Sequence, residues 1–523
     1  MKYTLRTSLT FTSRFTYCLL TVLVATITYV VPATGQQLEK VGGWLIERDE
    51  QDGIQIHTME MTLQPRAEPR PALKYHLIPD DFDLLDGNAA TFYLKAQGFI
   101  EQNAARDRLS EIYAKASEQA RLENKSTSEL PPSMWQSMAP DELPVKEVKE
   151  FLKLLSFQPM YLRAAAQQRQ FQLDRHLRTI ENPINYLLPE IQSMRELARM
   201  QSLRCRVAMA EGRIDDALEI LGQQYAMARH LGQDDFIVTS LVGVAIADMG
   251  CSDALYLVQQ PNVPNLYWAF ASLPSPLVDV RHAMSIERQF LYLQLKVLAE
   301  VDEVPRPVGY WQNFLDRLIP QIGSLASDFG LKEDDPEATR AKLVAYIAAA
   351  YPGAKRYLID ELGFSREQVE AYPIAQVVFL AMTRFYDATR DEYFKWTTLP
   401  YFQSPSRLSR IDDSLRKRLD HVGWSGMPTY TLLPAIHMIH LAVARSQQQI
   451  AMVQTVEAIR MYGAENDGKL PRTLDDLPVP ASLEPLTGKP LDYEYHDDHA
   501  VLNGHKVPGL RYRLILRFAA PKE

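Results

Sequence analysis

A helical hairpin folded at Gly212 constrains this chain more than any other feature. Within Leu203–Leu231, Leu203, Val207 and Ala210 recur at helical spacing before the glycine, and Ile214, Ala217, Leu218, Leu221 and Tyr225 after it. Such a hairpin cannot bury its apolar stripes alone, so it requires neighbouring helices stacked on either side. The architecture is legible here and the chemistry is not.

The first 35 residues read as a separate object. Lys2, Arg6 and Arg14 form a basic lead, Tyr17–Val31 an apolar run, and Ala33-Thr34-Gly35 a set of small residues at cleavage spacing, which together predict a secretory signal. The other reading is a retained membrane anchor. The run carries three threonines and falls short of the roughly 20 residues that span a bilayer. Cys18 follows Phe-Thr-Tyr, which is no lipid-attachment context. Export to the periplasm or cell envelope is therefore expected, with membrane contact only through this segment if it is kept. Losing it moves the formal net charge from −9 to −12. So acidic a surface disfavours nucleic acid and anionic lipid as partners. Only Cys205 and Cys251 remain beyond the leader; they could pair in an oxidising compartment or serve as two buried apolar thiols.

Along the rest of the chain, Gly43–Leu63 has a strand pattern broken by Asp52-Gly53, so residues 36–72 read as a β-hairpin followed by a Pro-rich linker at Pro65, Pro69 and Pro71. Residues 73–429 read as a helical array. Its helices are expected over Ala89–Leu122, Val145–Phe157, Met160–Thr179, Ile191–Ala210, Ile214–Leu231, Phe236–Val258, Pro276–Glu300, Tyr310–Phe329, Pro336–Ala350, Ile374–Trp396 and Leu408–Leu419. Glu123–Pro144 reads as an exposed loop. Residues 430–523 combine a long helix, Leu433–Glu465, with short strands, the last of them Arg511–Phe518, where Tyr512, Leu514, Leu516 and Phe518 share one face. Arg511, Arg513 and Arg517 on the other face read as a solvated sheet edge or as an anion site. The fold class is mainly α: an irregular helical array of tetratricopeptide-like hairpins, a small N-terminal β-hairpin and a short C-terminal β element.

Several segments together resemble a planctomycete family of exported helical proteins of unknown function: GNAATFYLKA at Gly87, EGRIDDALEIL at Glu211, PNLYWAF at Pro264, AYPGAKRYLI at Ala350, EQVEAYPIAQVV at Glu367, LPYFQ at Leu399, VEAIRMYGAENDGKLP at Val456 and LTGKPLDYEY at Leu486. The likeness implies secretion and helicity, and it brings no activity, cofactor or catalytic residue. Locally, Leu203–Leu231 is similar to a tetratricopeptide repeat, with Ala217 at the small crossing position but without the closing proline. The C-terminal segment, from the helix that ends in Tyr462-Gly463 through Gly488-Lys489-Pro490, resembles the globular end of a type II secretion pseudopilin, without that family's assembly helix.

Candidate chemistry is sparse. His437 and His440 lie three apart near the start of the last long helix and can reach one cation, but the following turn, Ala444 and Arg445, adds no ligand. Otherwise one histidine is satisfied by a neighbouring helix and the other meets solvent. His496, Asp497, Asp498 and His499 are a second, transition-metal-like group at a chain reversal, where aspartates also serve as turn formers. Asp80, Asp81, Asp83 and Asp86 precede a helix and suit its N-terminus; as paired carboxylates they could act on a glycan with Trp268, Trp311 or Trp396 as platforms. Gly423-Trp424-Ser425-Gly426 misses the nucleophile-elbow spacing, Tyr267–Phe270 reads as a core anchor, and no phosphate-cradling glycine loop is present. No cofactor is expected. The leading expectation is a non-enzymatic scaffold for a protein or peptide in the cell envelope; the rivals are a hydrolase or lyase with helix-borne carboxylates and a purely architectural envelope component.

Overall fold

Glycine and proline cut the helical pattern into more pieces than its periodicity suggests. A computed structural model describes residues 39–49, 53–98, 103–180, 183, 188–322, 336–433, 435–507 and 509–519, so the leader expected over residues 1–35 lies outside the described residues. Strands β1 (Glu39–Val41), β2 (Trp44–Arg48), β3 (Gln55–Leu63) and β4 (Leu85–Asn88) precede helices α1 (Ala89–Ala96), α2 (Asn103–Glu123), α3 (Val145–Lys153) and α4 (Gln158–Ala166). Strand β5 (Gln168–Gln170) leads to α5 (Pro189–Ala210), α6 (Ile214–Leu231), α7 (Ile237–Leu257), α8 (Tyr267–Ala271), α9 (Arg281–Glu287), α10 (Phe290–Gln294) and α11 (Val308–Ile322). Then come α12 (Pro336–Arg356), α13 (Arg366–Ala371), α14 (Ile374–Thr397), α15 (Pro405–Val422), α16 (Met427–Leu432) and α17 (Ala435–Glu465), and finally β6 (Asp492–Tyr495), β7 (Ala500–Asn503) and β8 (Leu510–Phe518). The protein is mainly helical, with a small N-terminal sheet and C-terminal strands, as the sequence predicts.

Three expected helices are interrupted. The run from Ala89 divides into α1 and α2, with Gly98 at φ +104° just beyond the end of α1. The Met160–Thr179 helix stops at Ala166, because the chain turns there into β5 and pairs in parallel with β4. The stretch Pro276–Glu300 resolves into α9, α10 and a 3-10 turn, Lys296–Glu300. Glu123–Pro144 is less open than its composition suggests, since Trp135 packs edge-on against Phe151 at 5.7 Å.

The chain divides into two compact units. The first holds residues 31–173, 189–282 and 442–523. Its sheet runs β1-β2-β3-β8-β7-β6, with β3 and β8 parallel from Gln55↔Leu510 to Leu63↔Phe518 and the other pairs antiparallel. Strand β8 is therefore central, not an edge. Its outward arginines are held by acidic neighbours: Arg511 by Asp492, Arg513 by Glu47 and Arg517 by Glu60. The inner face is apolar, with Met59, Met61, Leu63, Leu514 and Leu516 all buried. Gly463 of α17 is needed there, because a Cβ would stand 2.3 Å from the Phe518 ring. Helices α5, α6 and α7 pack on one another, and Asp253 of α7 joins them by accepting from Ser202 and Arg206 of α5 and Gln224 of α6.

The Asp80–Asp86 run does not cap α1. Asn88 does, accepting from the Ala90 N–H at 3.0 Å, while its carboxamide also bonds both backbone groups of Gln172. Asp81 and Asp86 instead pair with Arg169. Asn88→Ala removes the cap and the bridge together and is expected to cost about 1–2 kcal/mol in a denaturation experiment.

The second unit holds residues 174–188 and 283–441. Helix α14 runs through its core with Val377, Val378, Phe379, Leu380 and Phe385 buried, flanked by α12 and α15. Gly353 lets α12 approach the end of α15, since a Cβ there would meet the Val422 carbonyl oxygen at 2.5 Å. Trp311 is a core residue stacked on Phe379 at 6.3 Å, which removes it as a sugar platform.

Candidate functional site

The first turns of α17 and the middle of α15 bring the sequence-predicted histidines into one polar chain within the second unit. His437 Nδ1 lies 2.9 Å from Asp412 Oδ2, and the Tyr393 hydroxyl donates to the other oxygen of the same carboxylate at 2.5 Å. On the opposite side of the ring, His437 Nε2 faces the Tyr401 hydroxyl at 3.5 Å. His440, one turn on, is bonded by the Leu399 carbonyl, while its Nε2 is buried without a partner. Burial, then the charge of His437, push the His440 ring down to about 4. The Tyr401 ring lies 6.3 Å from one imidazole and 5.3 Å from the other. Neither histidine is left to solvent, which corrects the expectation that one would be.

His496 and His499 stack at 4.5 Å where the chain reverses between β6 and β7, and His499 Nδ1 is 2.7 Å from Asp498. That hydrogen bond holds the exposed Asp498 carboxyl below its usual range. The four-residue group thus closes its own turn: the His496 N–H donates to the His499 carbonyl. Among the described residues, no three His, Cys, Asp or Glu side chains converge as a metal shell. Ser425 is buried, donating to the Val422 carbonyl. Trp268 donates to Glu68, and Trp396 lies under Arg407. Cys205 and Cys251 are buried free thiols; Cys205 donates to the Ala217 carbonyl, and Cys251 accepts from Tyr225.

A second cluster, in the first unit, was not singled out by sequence reasoning. The rings of Trp44 (β2), His57 (β3) and Tyr512 (β8) stand 5.6–6.4 Å apart on the inner face of the sheet. His57 and Tyr512 are register partners, so the parallel β3–β8 pair sets this contact. Facing them, α7 contributes Asp248 and α17 contributes Arg445, Ser446 and Gln449. Burial raises the Asp248 carboxyl, opposed by the Arg445 charge and by hydrogen bonds from the Ser446 and Gln449 side chains. Burial, then Arg445, lower His57 to about 4. Burial also raises the Tyr512 hydroxyl, which feels Arg445 and Asp248. Arg445 Nε is shielded and without a hydrogen-bond partner, while Ser446 Oγ and Gln449 Nε2 face Asp248 in loose hydrogen bonds that fall short of good geometry. Arg445, Ser446 and Gln449 are 8%, 2% and 6% exposed, so bulk water does not satisfy them. The available signal in the sequence was polarity in the wrong place: Asp248 interrupts the apolar run of α7, and Arg445–Gln449 interrupts that of α17.

No protein-family model, no curated protein and no solved structure matches this chain.

Proposed function

We propose that this is a non-enzymatic binding protein exported to the cell envelope, with α5–α7 as a tetratricopeptide-like stack, and that it takes a peptide or a protein segment at the cluster beneath Trp44, His57 and Tyr512. The observation that carries this reading is the buried polar set Asp248, Arg445, Ser446 and Gln449, in which Arg445 Nε has no partner and Asp248 is met only loosely by Ser446 and Gln449. A buried polar atom left unpaired costs about 1–3 kcal/mol, so an under-satisfied set in one place favours a partner that completes it. The set offers a carboxylate acceptor beside guanidinium, amide and hydroxyl donors, which complements the N–H and C=O groups of a peptide backbone. The adjoining Trp44, His57 and Tyr512 rings offer rigid contact area at low entropic cost. The acidic net charge supports neither nucleic acid nor an anionic membrane as the partner.

The test is binding of peptides from envelope extract to the purified chain and to Arg445→Met. We expect wild-type protein to retain a defined peptide set and R445M to lose at least tenfold in affinity. R445M also removes the charge that opposes burial of Asp248, so it should unfold at a lower temperature, and the double variant Arg445→Met with Asp248→Asn serves as the folding control. Equal retention by both proteins would remove the site.

A hydrolase or lyase remains a second reading because of Glu287, whose carboxyl burial pushes up to about 7. Near it, Asp387 accepts from the Tyr292 hydroxyl and from Arg390, and Tyr386 feels both carboxyls. Two carboxyls in unlike environments are what acid/base division requires. Polymer cleavage that disappears in Glu287→Gln would favour this reading over the first.

A further inference from the structure

We propose that Tyr401, His437 and His440 hold a divalent first-row transition-metal ion in the second unit. The argument starts from the two imidazoles. A metal-bound histidine usually donates its other ring N–H to a carboxylate or a backbone carbonyl, which fixes the tautomer and aims the ligand nitrogen. Both histidines carry such a tether. His437 is held at Nδ1 by Asp412, itself braced by Tyr393. His440 is bonded to the Leu399 carbonyl, and because its Nε2 has no partner, the tethered nitrogen is Nδ1. Each ring therefore presents Nε2, and the spacing of three residues on α17 puts both on one helix face.

The third donor comes from another segment, the 3-10 turn Tyr401–Gln403. The Tyr401 hydroxyl stands 3.5 Å from His437 Nε2, long for a hydrogen bond to nitrogen. Two ligands on one tetrahedral ion with bonds of about 2.0–2.1 Å lie about 3.3–3.4 Å apart, so the separation matches a shared ion more closely than a direct bond. The Tyr401 ring also approaches His440, at 5.3 Å between centroids. An ion here would satisfy the buried His440 Nε2, and a fourth position would stay open for water or a substrate atom. Two imidazoles and one phenolate suit copper(II) or zinc(II), whereas calcium and magnesium require an oxygen cage that these residues do not provide. Binding releases the Tyr401 proton to solvent. The sequence singled out the two histidines but not the third donor, which is a tyrosine 36 residues upstream and not a group on the next helical turn.

The experiment titrates the chelator-dialysed mature chain, carrying His496→Ala and His499→Ala to silence the turn histidines, with copper(II) and with zinc(II). The expected result is one ion bound per chain and, for copper, a visible phenolate-to-metal charge-transfer band. Tyr401→Phe keeps the ring and should abolish the band and weaken binding at least tenfold; Asp412→Asn should weaken it about 10–100-fold. His440→Ala should also weaken it, with circular dichroism as the check on folding. The proposal is overturned by the absence of stoichiometric binding, or by a band and affinity unchanged in Tyr401→Phe; in either case the residues are a polar clamp between α15 and α17. None of these variants touches the Trp44–Arg445 cluster, so the result is independent of the peptide-binding reading.

Discussion

Acidification from pH 6.5 to 4 is expected to strip about 3 kcal/mol from the first unit through His230 alone. This ring is fully buried, its Nε2 donating to the Gln168 carbonyl at 2.8 Å and its Nδ1 accepting from the Tyr93 hydroxyl at 2.9 Å. Both nitrogens are thus satisfied in the neutral form. Burial, and after it the neighbouring Arg229 charge, lower the ring to about 3, against 6.5 in the unfolded chain. Between those values the unfolded chain binds the additional proton, so stability falls with falling pH by up to about 1.4 kcal/mol per unit. His57, lowered to about 4, has the same sign. Glu287 in the second unit has the opposite one: raised to about 7, its contribution is present below its unfolded value and lost as pH rises through 7. Hydrogen-exchange protection factors across α5–α7, corrected for the intrinsic pH dependence of amide exchange, should therefore fall at pH 4.5 relative to pH 6.5, and His230→Gln should flatten that dependence. Protection that is level over this range in the wild type would contradict the assignment.

The hairpin was legible because its signal is local. Periodicity on both sides of Gly212 requires only neighbours within one turn, and α6 spans Ile214–Leu231 as read. Gly212 itself adopts φ +71°, a conformation that costs other residues and not glycine. The sheet was legible strand by strand but not as a sheet. Ile56 pairs with Arg511 and Leu63 with Phe518 across most of the chain length, and alternation in one strand carries no information about its partner. That is why β8 read as an edge: its arginine-bearing face resembles one, although Glu47, Asp492 and Glu60 supply the charges that allow it an interior position. The broken helices have a similar cause. At Ala166 the chain leaves an acceptable helical pattern to pair with β4, a tertiary contact that outweighs local propensity.

Sites were less legible than elements because each is assembled from several distant segments. His437 and His440 stood out by spacing on a helix, yet Asp412, Tyr401 and Leu399 come from elsewhere and decide how the rings are aimed. In the first unit, Trp44, His57 and Tyr512 are brought together by strand register, and Asp248 and Arg445 by helices far apart in sequence. A polar residue inside an apolar helix marks such positions, but the same pattern marks a structural ion pair. Asp253 is of that structural kind, spent on Ser202, Arg206 and Gln224. Asp253 is met by donors from two neighbouring helices at 2.8–3.0 Å, whereas Asp248 is met only loosely by Ser446 and Gln449, and only coordinates give that difference.

Arg460→Met is expected to destabilise the first unit by about 3–5 kcal/mol, the range for breaking a fully buried ion pair from one side. Arg460 and Glu457 are both 0% exposed, and the guanidinium bonds both carboxylate oxygens at 2.8 Å. It also donates to the backbone carbonyls of Gln64 and Val263, so one side chain joins the Pro-rich linker, the segment before α8 and the long helix α17. Asn265 fixes the same junction by donating to the Glu457 carbonyl. Burial raises the Glu457 carboxyl, and Arg460 is the charge that opposes it. Methionine removes the opposing charge and strands the acid together with those two carbonyls. In that variant Glu457 folds protonated, so its cost should grow as pH rises above the ordinary carboxylate range and shrink below it. Urea midpoints at pH 5 and pH 7 separate this from simple loss of packing, which would shift both equally. The double variant Arg460→Met with Glu457→Met should recover much of the loss, because no uncompensated charge is then buried. If the double variant is as unstable as the single one, the bonds to Gln64 and Val263, and not the ion pair, hold the junction together.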